Sequence, residues 1–306
     1  MNEFHNPVML LESVSALKIK KEGIYVDATF GGGGHSKEIL KKLNNQGKLI
    51  VFDQDSDAIF KNKIIDDRLI IMNKNFRYLK NCLASIGIEK IDGIVVDLGV
   101  SSYQINTARG FSFKSKSELD MRMNKSASLS AIEVLNKYNK EDLSRILKDH
   151  ADFSNSHKLA EKIISYRKKN YIKFSEDLLN LFSGCFYVPK KNQFFARIFQ
   201  AIRIEVNDEL NALKDLLRTT LNALSPGGRL VVISYHSIED RIVKTFMKFG
   251  HFDAFPKKDF FGNQSRPFTI INKKPILPSS KEMISNNRSR SAKMRVAEIN
   301  SIIENE

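Results

Sequence analysis

The feature that most constrains the fold is an apolar run that ends in four consecutive glycines. Residues 24–30 read IYVDATF, Gly31–Gly34 follow, and HSKEILKKL then places Ile39, Leu40 and Leu43 at helical spacing. A strand, a glycine turn and a helix are the simplest interpretation of this order. Glycines let the backbone approach a ligand closely, and the free N–H groups of a helix start favour negative charge. The segment therefore predicts a ligand-binding turn, with simple turn geometry as the alternative.

The same alternation continues along the first third of the chain. Apolar runs at 48–52, 69–72 and 91–98 read as strands, and the stretches 57–64 and 76–86 between them read as helices. Strands that alternate with helices predict a parallel sheet covered on both faces, so the fold class is α/β.

The pattern changes near residue 126. Residues 128–185 show helical periodicity without a convincing strand, and the α/β pattern then resumes with a helix over 206–224, an SPGG turn, a strand over 229–237 and a helix over 240–249. We predict three segments: a first part of the sheet domain at 1–125, a helical insertion for substrate recognition at 126–204, and a second part at 205–306 that ends in a basic tail.

Charge and cysteine content narrow the functional class. Lys and Arg number 49 against 35 Asp and Glu, a net charge of +14, which favours a polyanionic partner, although drift toward lysine codons could also produce it. Two cysteines, Cys82 and Cys185, cannot build a disulfide framework or a zinc site. With no signal peptide and no apolar run of about 18–20 residues, we predict a cytoplasmic protein that does not enter a membrane.

Carboxylates at the strand ends suggest which ligand the glycine turn holds. Asp53 follows the second strand 22 residues after Gly31, as a ribose acceptor would, and this signal alone fits NAD, FAD or S-adenosylmethionine. The run GGGGH lacks the G-x-G-x-x-G spacing that suits a pyrophosphate. Asp27 precedes the glycines and Asp97 ends the fourth strand, and carboxylates suit a cationic sulfonium. S-Adenosylmethionine is therefore favoured, although Asp27 could instead cap the turn and His35 could pack on it.

Several longer segments resemble a known family over nearly the whole chain. They are HNPVMLLESV (5–14), DATFGGGGHS (27–36), FDQD (52–55), DGIVVDLGVSSYQ (92–104), RGFSF (109–113), LDMRM (119–123), FQAIRIEVNDEL (199–210), LSPGGRLVVISYHSIEDRIVK (224–244) and NNRSRSAKMR (286–295). With these motifs, the chain resembles the bacterial 16S rRNA (cytosine-N4)-methyltransferase family, called RsmH or MraW.

The resemblance implies a class I S-adenosylmethionine-dependent methyltransferase sheet, which is Rossmann-like, with a helical insertion domain. It implies S-adenosyl-L-methionine as donor, the N4 amine of a P-site cytidine in 16S rRNA of the small ribosomal subunit as acceptor, and a monomer or homodimer. The family's cofactor residues correspond to Gly33, Gly34, His35, Asp53, Phe76, Asp97 and Gln104.

The chain departs from the family pattern at three places. Tyr103 replaces a proline before Gln104, His150–Phe153 replaces a Tyr-Gly-Glu-Glu stretch, and QFFAR at 193–197 keeps only Arg197 of a His-Pro-Ala-Thr-Arg stretch. These changes fall in or beside the predicted insertion, so they bear on RNA contact or assembly more than on the cofactor site.

Chemistry at cytosine N4 needs positioning and a hydrogen-bond acceptor, because its lone pair is delocalised into the ring. The loop after the fourth strand offers Asp97, Ser101 and Ser102, which we predict as catalytic, with no metal required. The base would be flipped out or single-stranded. The remaining predicted contacts to substrate RNA, each with an ordinary structural role as the alternative, are Arg109, Phe111, Asp120, His236, Arg288 and Arg290.

Two other functions compete with this interpretation. An enzyme of the same fold could methylate DNA amines, but such enzymes carry an (Asp/Asn/Ser)-Pro-Pro-aromatic motif where this chain reads DLGV at 97–100. A catalytically silent RNA-binding assembly factor could also keep the fold.

Overall fold

A computed structural model describes residues 7–62, 64–185, 187, 190–253, 255 and 266–301. The chain forms two compact units, one from the described residues of Met1–Gly99 and Asn211–Glu306 and the other from Val100–Leu210. Among the described residues, no helix combines the length and apolarity that a membrane crossing requires.

The strands are β1 (Ile24–Asp27), β2 (Lys48–Phe52), β3 (Leu69–Met72), β4 (Ile91–Asp97), β5 (Leu224–Ser234), β6 (Phe268–Ile270) and β7 (Lys293–Ile299). The helices are α1 (Leu10–Ala16), α2 (Gly34–Leu40), α3 (Ser56–Lys61), α4 (Leu79–Ser85), α5 (Ser102–Asn106), α6 (Ala131–Lys137), α7 (Lys140–Asp149), α8 (Ser156–Arg167), α9 (Ser175–Leu181), α10 (Lys191–Asn207), α11 (Glu209–Ala223), α12 (Ser237–Phe249) and α13 (Ser280–Ser285).

The first unit contains one sheet in the order β3-β2-β1-β4-β5-β7-β6. Strands β1 to β5 are parallel, and β7 runs antiparallel to both β5 and β6. The predicted α/β fold with a parallel sheet is therefore confirmed. Strand β1 pairs with β2 on one side and with β4 on the other, so the order in which strands are added to the sheet changes direction at β1. Open α/β sheets bind ligands at such a switch point.

Side chains alternate between two cores on the two faces of this sheet. In β1, Tyr25 packs into one core and Val26 into the other, and Val95 and Val96 of β4 divide in the same way. This period of two is the geometry of a strand that is buried on both faces. Burial on both faces explains why the strands appear in the sequence as unbroken apolar runs.

Two element boundaries differ from those predicted. The SPGG segment lies within β5 as a bulge, since Leu224 pairs with Ile91 and the next registered pair is Arg229 with Gly93. The helix predicted over 206–224 is interrupted at Asp208, whose φ of 48° ends α10 before α11 begins. A left-handed residue cannot continue a right-handed helix, so one predicted helix becomes two.

The predicted basic tail is in large part sheet. The segment KMRVAEI forms β7, and Arg295 within it is only 8% exposed and donates a 2.6 Å hydrogen bond to Asp240. A cation that is buried and paired in this way is part of the fold.

The second unit is helical, from α5 to α10, with its own apolar core. It spans 100–210, wider than the 126–204 placed by the sequence. The reason is that the RGFSF and LDMRM segments contribute Phe111, Leu119, Met121 and Met123 to the helical core.

Candidate active site

Three carboxylates follow three neighbouring strands at one edge of the sheet. Asp27 ends β1 and is in register with Val51 of β2 and Val95 of β4, so that Asp53 and Asp97 each lie two residues further along their strands. Because parallel strands end at the same edge, this register brings all three carboxylates to the switch point.

The glycine turn lies between β1 and α2 and is shaped by backbone conformations that other residues resist. Gly33 precedes α2 with φ 73°, and a Cβ there would lie 2.3 Å from Nδ2 of Asn62. The Gly31 N–H donates to Oδ2 of Asp53 at 2.9 Å. The hydrogen bond from Gly31 therefore holds the turn to the Asp53 carboxylate. Gly33 cannot accept a side chain unless Asn62 shifts.

Both carboxylate oxygens of Asp27 accept hydrogen bonds from residues in or next to the glycine turn. Its Oδ2 accepts a 2.6 Å hydrogen bond from Ser36 Oγ, and its Oδ1 accepts one from the Thr29 N–H at 3.2 Å. The side chain is buried. The alternative role that the sequence left open, a carboxylate that caps the turn, is the one the structure shows.

Asp53 is partly buried and held by two backbone donors. Besides Gly31, the N–H of Asp55 donates to its Oδ1 at 2.8 Å. Burial raises the pKa of Asp53 to about 6, although both hydrogen bonds oppose this shift. A carboxylate with this pKa is ionised at neutral pH and keeps acceptor capacity for hydroxyl donors.

Phe76 lies in a short 3-10 turn (Phe76–Tyr78) after β3. The turn is tied to the end of β2, because Asn75 Nδ2 donates to Gln54 Oε1 at 2.9 Å and Asn73 Nδ2 donates to the carbonyl of Asp53 at 2.9 Å. The half-buried Phe76 ring packs against the sheet core. The structure thus places two predicted cofactor residues, Asp53 and Phe76, in adjoining loops.

Asp97 is held by two hydrogen bonds at this edge. The Tyr235 hydroxyl donates to its Oδ1 at 2.6 Å, and the Asp97 N–H donates to Thr29 Oγ1 at 2.8 Å. Burial raises the pKa of Asp97, while His35, the Tyr235 hydroxyl and Arg288 act in the opposite direction. Burial and the adjacent carboxylate both raise the pKa of Tyr235, so its hydroxyl remains the donor.

His35 and Arg288 are the two basic side chains that face this carboxylate. His35 is 4% exposed, and its Nε2 has no hydrogen-bond partner among the described residues. Arg288 lies in a 3-10 turn (Asn287–Ser291), and burial lowers its pKa while Tyr235 and Asp97 counteract that effect. The Arg288 side chain is half-buried and acts on Asp97, and its predicted contact to RNA stays a prediction. Arg290 remains exposed.

His236 has a local role at the start of α12. Its Nδ1 accepts a hydrogen bond from the Glu239 N–H at 3.4 Å, and its Nε2 lies 3.0 Å from the buried Glu239 carboxylate. His236 therefore caps the start of α12, as a structural role, and its predicted contact to RNA stays a prediction.

In the second unit, Ser101 and Gln104 form a reciprocal capping box at the start of α5. Ser101 Oγ accepts from the Gln104 N–H at 3.2 Å, and Gln104 Oε1 accepts from the Ser101 N–H at 3.0 Å. Ser102 is the first residue of α5, and its side chain lies outside the described part of the structure. Ser101 and Ser102, which were both expected at the base edge, therefore lie at the start of α5.

The other three residues expected to contact RNA in this unit have internal partners. Arg109 donates to the carbonyl of Met123 at 3.1 Å and also to that of Arg122. Phe111 is 9% exposed in the core, so it cannot stack on a base in this conformation. Asp120 forms a 2.6 Å ion pair with Arg122, which was its structural alternative. Each of these three residues thus has an ordinary structural role in or beside the LDMRM segment, and their contacts to RNA stay predictions.

Comparison with known proteins identifies the family. A profile of the MraW methylase family matches residues 2–300. The chain belongs to the MraW methylase family. It is 53% identical over 296 residues to the ribosomal RNA small subunit methyltransferase H of Christiangramia forsetii, covering 96% of this chain and 97% of that one. It is 49% identical over 299 residues to the protein of the same name in Flavobacterium johnsoniae, covering 97% and 98%.

Among solved structures, an rRNA methylase from Streptococcus thermophilus aligns over 97% of this chain and 98% of that chain, with a TM-score of 0.43 and 12% identity. As a member of the MraW methylase family, the protein is a methyltransferase, and S-adenosyl-L-methionine is its cofactor. Among the described residues, no group of three or more His, Cys, Asp or Glu side chains is arranged to hold a metal.

The edge of the MraW methylase sheet fits this cofactor. The glycine turn leaves backbone accessible, and Asp53 and Asp97 supply acceptors that suit hydroxyl, ammonium and sulfonium groups. The unpartnered Nε2 of His35 is a buried polar atom that a ligand can satisfy. Sequence reasoning missed Tyr235, because its proximity to Asp97 follows from the pairing of β4 with β5, which no local pattern reports.

Proposed function

We propose that the protein transfers a methyl group to the N4 amine of a P-site cytidine in 16S rRNA of the small ribosomal subunit, in the cytoplasm. The observation that carries the proposal is the hydrogen-bonded pair of Asp97 and Tyr235 at the switch point, beside the glycine turn. The similar proteins are named for methylation of small-subunit ribosomal RNA, which supports this substrate class.

The chemistry explains why a held carboxylate is useful. Cytosine N4 is an N–H donor whose lone pair is delocalised, so an acceptor that takes its hydrogen bond favours the geometry in which the lone pair can attack. S-Adenosyl-L-methionine supplies an activated methyl group when it is bound. Asp97 would accept a hydrogen bond from N4, and the Tyr235 hydroxyl fixes one carboxylate oxygen so that the other is available to the amine. When the methyl–nitrogen bond forms and the methyl–sulfur bond breaks, N4 must lose one proton, and this carboxylate is the adjacent acceptor that would take it.

The residues around Asp97 would bind and orient the reactants. Asp53 would accept from hydroxyl groups of the cofactor. The turn that holds the predicted cofactor residues Gly33 and Gly34 offers open space at Gly32, while Gly33 and Gly34 leave room for Asn62 and Pro7. His35 would offer its free Nε2, and Phe76 and Gln104 complete the proposed cofactor set. The guanidinium of Arg288 lies where it can donate to an acceptor of the bound cytosine or of the cofactor.

Asp97→Ala tests the assignment of the acceptor. We expect the variant to lose methyl transfer by about 100-fold or more while it keeps its fold, since removal of one electrostatic catalytic group typically has that effect. Cofactor affinity by calorimetry and transfer of labelled methyl to small subunits are the measurements. Full activity of Asp97→Ala would rule out this role.

Two substrates, small ribosomal subunits and DNA, separate the three competing functions. N4-methylcytidine in RNA after incubation with small subunits supports the proposal, whereas methyl incorporated into DNA supports a DNA amino-methyltransferase. No transfer to either, with RNA binding retained, supports a silent assembly factor.

A further inference from the structure

The surface of the helical unit carries a second feature, in the segment from Lys168 to Phe174, which reads KKNYIKF and connects α8 to α9. Tyr171 is 66% exposed and Phe174 is 38% exposed, although large aromatic rings normally lie mostly within a fold. Three lysines accompany the two rings, at positions 168, 169 and 173.

The backbone of this segment is clamped to its neighbours. Ile172, which is buried, exchanges two hydrogen bonds with the side chain of Asn136, at 3.2 and 2.8 Å. The carbonyl of Lys173 accepts from the Leu119 N–H at 2.9 Å, and one oxygen of Asp177 accepts from the N–H groups of both Lys173 and Phe174. The rings are thus presented from a fixed backbone, which reduces the entropy lost when a ligand binds.

Positive charge predominates in the sequence before and between the two rings, whereas the carboxylates of Glu118, Glu176 and Asp177 lie on the side of Phe174. Between residues 158 and 174 there are six Lys or Arg and one acidic residue, Glu161. Lys158, Lys162 and Lys169 are exposed. The first two lie one turn apart on the same face of α8, and Lys169 follows the end of that helix. Within the part of the chain that the structure describes, none of these three lysines forms an ion pair.

Lys173 connects the charge to the rings. Its Nζ lies 5.5 Å from the ring centre of Phe174, in cation–π range, and 3.8 Å from the carboxylate of Glu118. The contact with Glu118 is a long one between two exposed groups, so it leaves the ammonium available to a phosphate.

From these contacts we infer that the Lys168–Phe174 segment is a docking surface for single-stranded RNA, on which Tyr171 and Phe174 stack with bases and the lysines contact phosphates. Exposed aromatic rings interleaved with cations are what single-stranded RNA binds, because every base offers a π face and every nucleotide a negative charge. The inference rests on the proposed function, because this surface would bind unpaired nucleotides of the rRNA substrate.

Two substitutions at Tyr171 separate stacking from simple apolar contact. Tyr171→Phe keeps the ring and Tyr171→Leu keeps an apolar side chain without one. Using the full chain and a fluorescently labelled single-stranded RNA of about a dozen nucleotides, we expect Tyr171→Leu to bind about 5- to 140-fold more weakly, the usual loss for one stacked base, and Tyr171→Phe to bind within about twofold of wild type. Unchanged affinity of Tyr171→Leu would overturn the inference, and it is also the result expected if the surface docks a protein through apolar contact.

Salt dependence tests the lysines. If Lys168 and Lys169 each neutralise one phosphate, the double Gln variant lowers the slope of log K against log salt by about 1.4, since each contact to a single strand contributes about 0.7. The matched control is the double Gln variant of Lys41 and Lys42, an adjacent exposed pair in the sheet unit. Equal slopes for the two double variants would overturn the phosphate contacts.

Methyl transfer distinguishes failure of this inference from failure of the proposed function. With small subunits as substrate, we expect Tyr171→Leu to raise KM while kcat stays near that of wild type, because the ring positions RNA away from the reacting atoms. An unchanged KM in Tyr171→Leu overturns the docking surface and leaves the proposed function intact. If the wild-type protein itself transfers no methyl to rRNA, the proposed function fails, and the RNA titrations still decide the docking surface.

Discussion

Replacing Tyr235 by Phe should move the pH dependence of catalysis. The substitution removes only the hydroxyl that donates to Asp97 Oδ1 at 2.6 Å. Burial already raises the pKa of Asp97, and this hydrogen bond is one of the contacts that counteract the shift. Without it, the ionised form of Asp97 loses a stabilising partner and the pKa of the carboxyl rises further.

The size of the shift follows from the strength of the lost bond. A hydrogen bond to a charged group contributes about 1.5–3 kcal/mol. At roughly 1.36 kcal/mol per pKa unit, the pKa of Asp97 would rise by about 1–2 units at most. Since the ionised carboxylate is the proposed acceptor, activity is lost as pH falls through this pKa, and the acid limb of the profile moves to higher pH.

The assay is kcat/KM for methyl transfer as a function of pH, which reports groups of the free enzyme. Tyr25→Phe is a matched control, because Tyr25 is also buried and its hydroxyl accepts from the Lys20 N–H at 2.8 Å at the opposite end of β1. We expect the control to keep the wild-type acid limb. If Tyr235→Phe shows the same acid limb as wild type, the argument that Tyr235 holds Asp97 is refuted.

Three further outcomes follow from the structure. Burial raises the pKa of Asp53 to about 6 from 3.8, so ionisation of this carboxyl destabilises the folded protein. Denaturant titration should show that the wild type loses roughly 1.4 kcal/mol of unfolding free energy between about pH 5 and pH 7.5, whereas Asp53→Asn does not. The same pH dependence of stability in both proteins would contradict this. Gly33→Ala places a Cβ against Asn62 and should weaken cofactor binding, measured by calorimetry, about tenfold or more. Gly87 has a similar φ but open surroundings, so Gly87→Ala should bind the cofactor as wild type does. Equal affinities of the two variants would contradict the role of Gly33 in the cofactor site. Phe111→Ala should cost about 3–5 kcal/mol of unfolding free energy as a core truncation, and a normal stability with lost RNA binding would restore the stacking role.

The sheet could be predicted from the sequence because its central strands are buried on both faces. The run at 48–52 is the observed β2, whose last four residues are buried. The run at 69–72 is the observed β3, although this strand lies at the edge of the sheet and is only partly buried. Strand β7 was missed for the opposite reason. Its sequence, KMRVAEI, carries charges that suggest solvent, and only the tertiary partner of Arg295, Asp240, makes burial of that charge possible.

The site was predictable in its outline and not in its partners. The glycines and the carboxylates at the strand ends indicate, from local sequence pattern alone, that a ligand binds at this edge of the sheet. The contact of Tyr235 with Asp97 depends on the pairing of β4 with β5, which are separated by more than a hundred residues, and no local pattern reports it. The same limit explains Arg288, which lies in a basic stretch of sequence and whose surroundings are set by the fold.

The central claim is that the edge around Asp97 methylates cytosine N4 in small-subunit rRNA. The most direct measurement is mass spectrometry of the nucleosides of 16S rRNA after small subunits lacking the modification are incubated with isotope-labelled S-adenosyl-L-methionine, in parallel with wild type and Asp97→Ala. The account predicts labelled N4-methylcytidine at one P-site position with wild type and its near absence with Asp97→Ala. Label at another atom or another nucleoside, or equal label with both proteins, would contradict it.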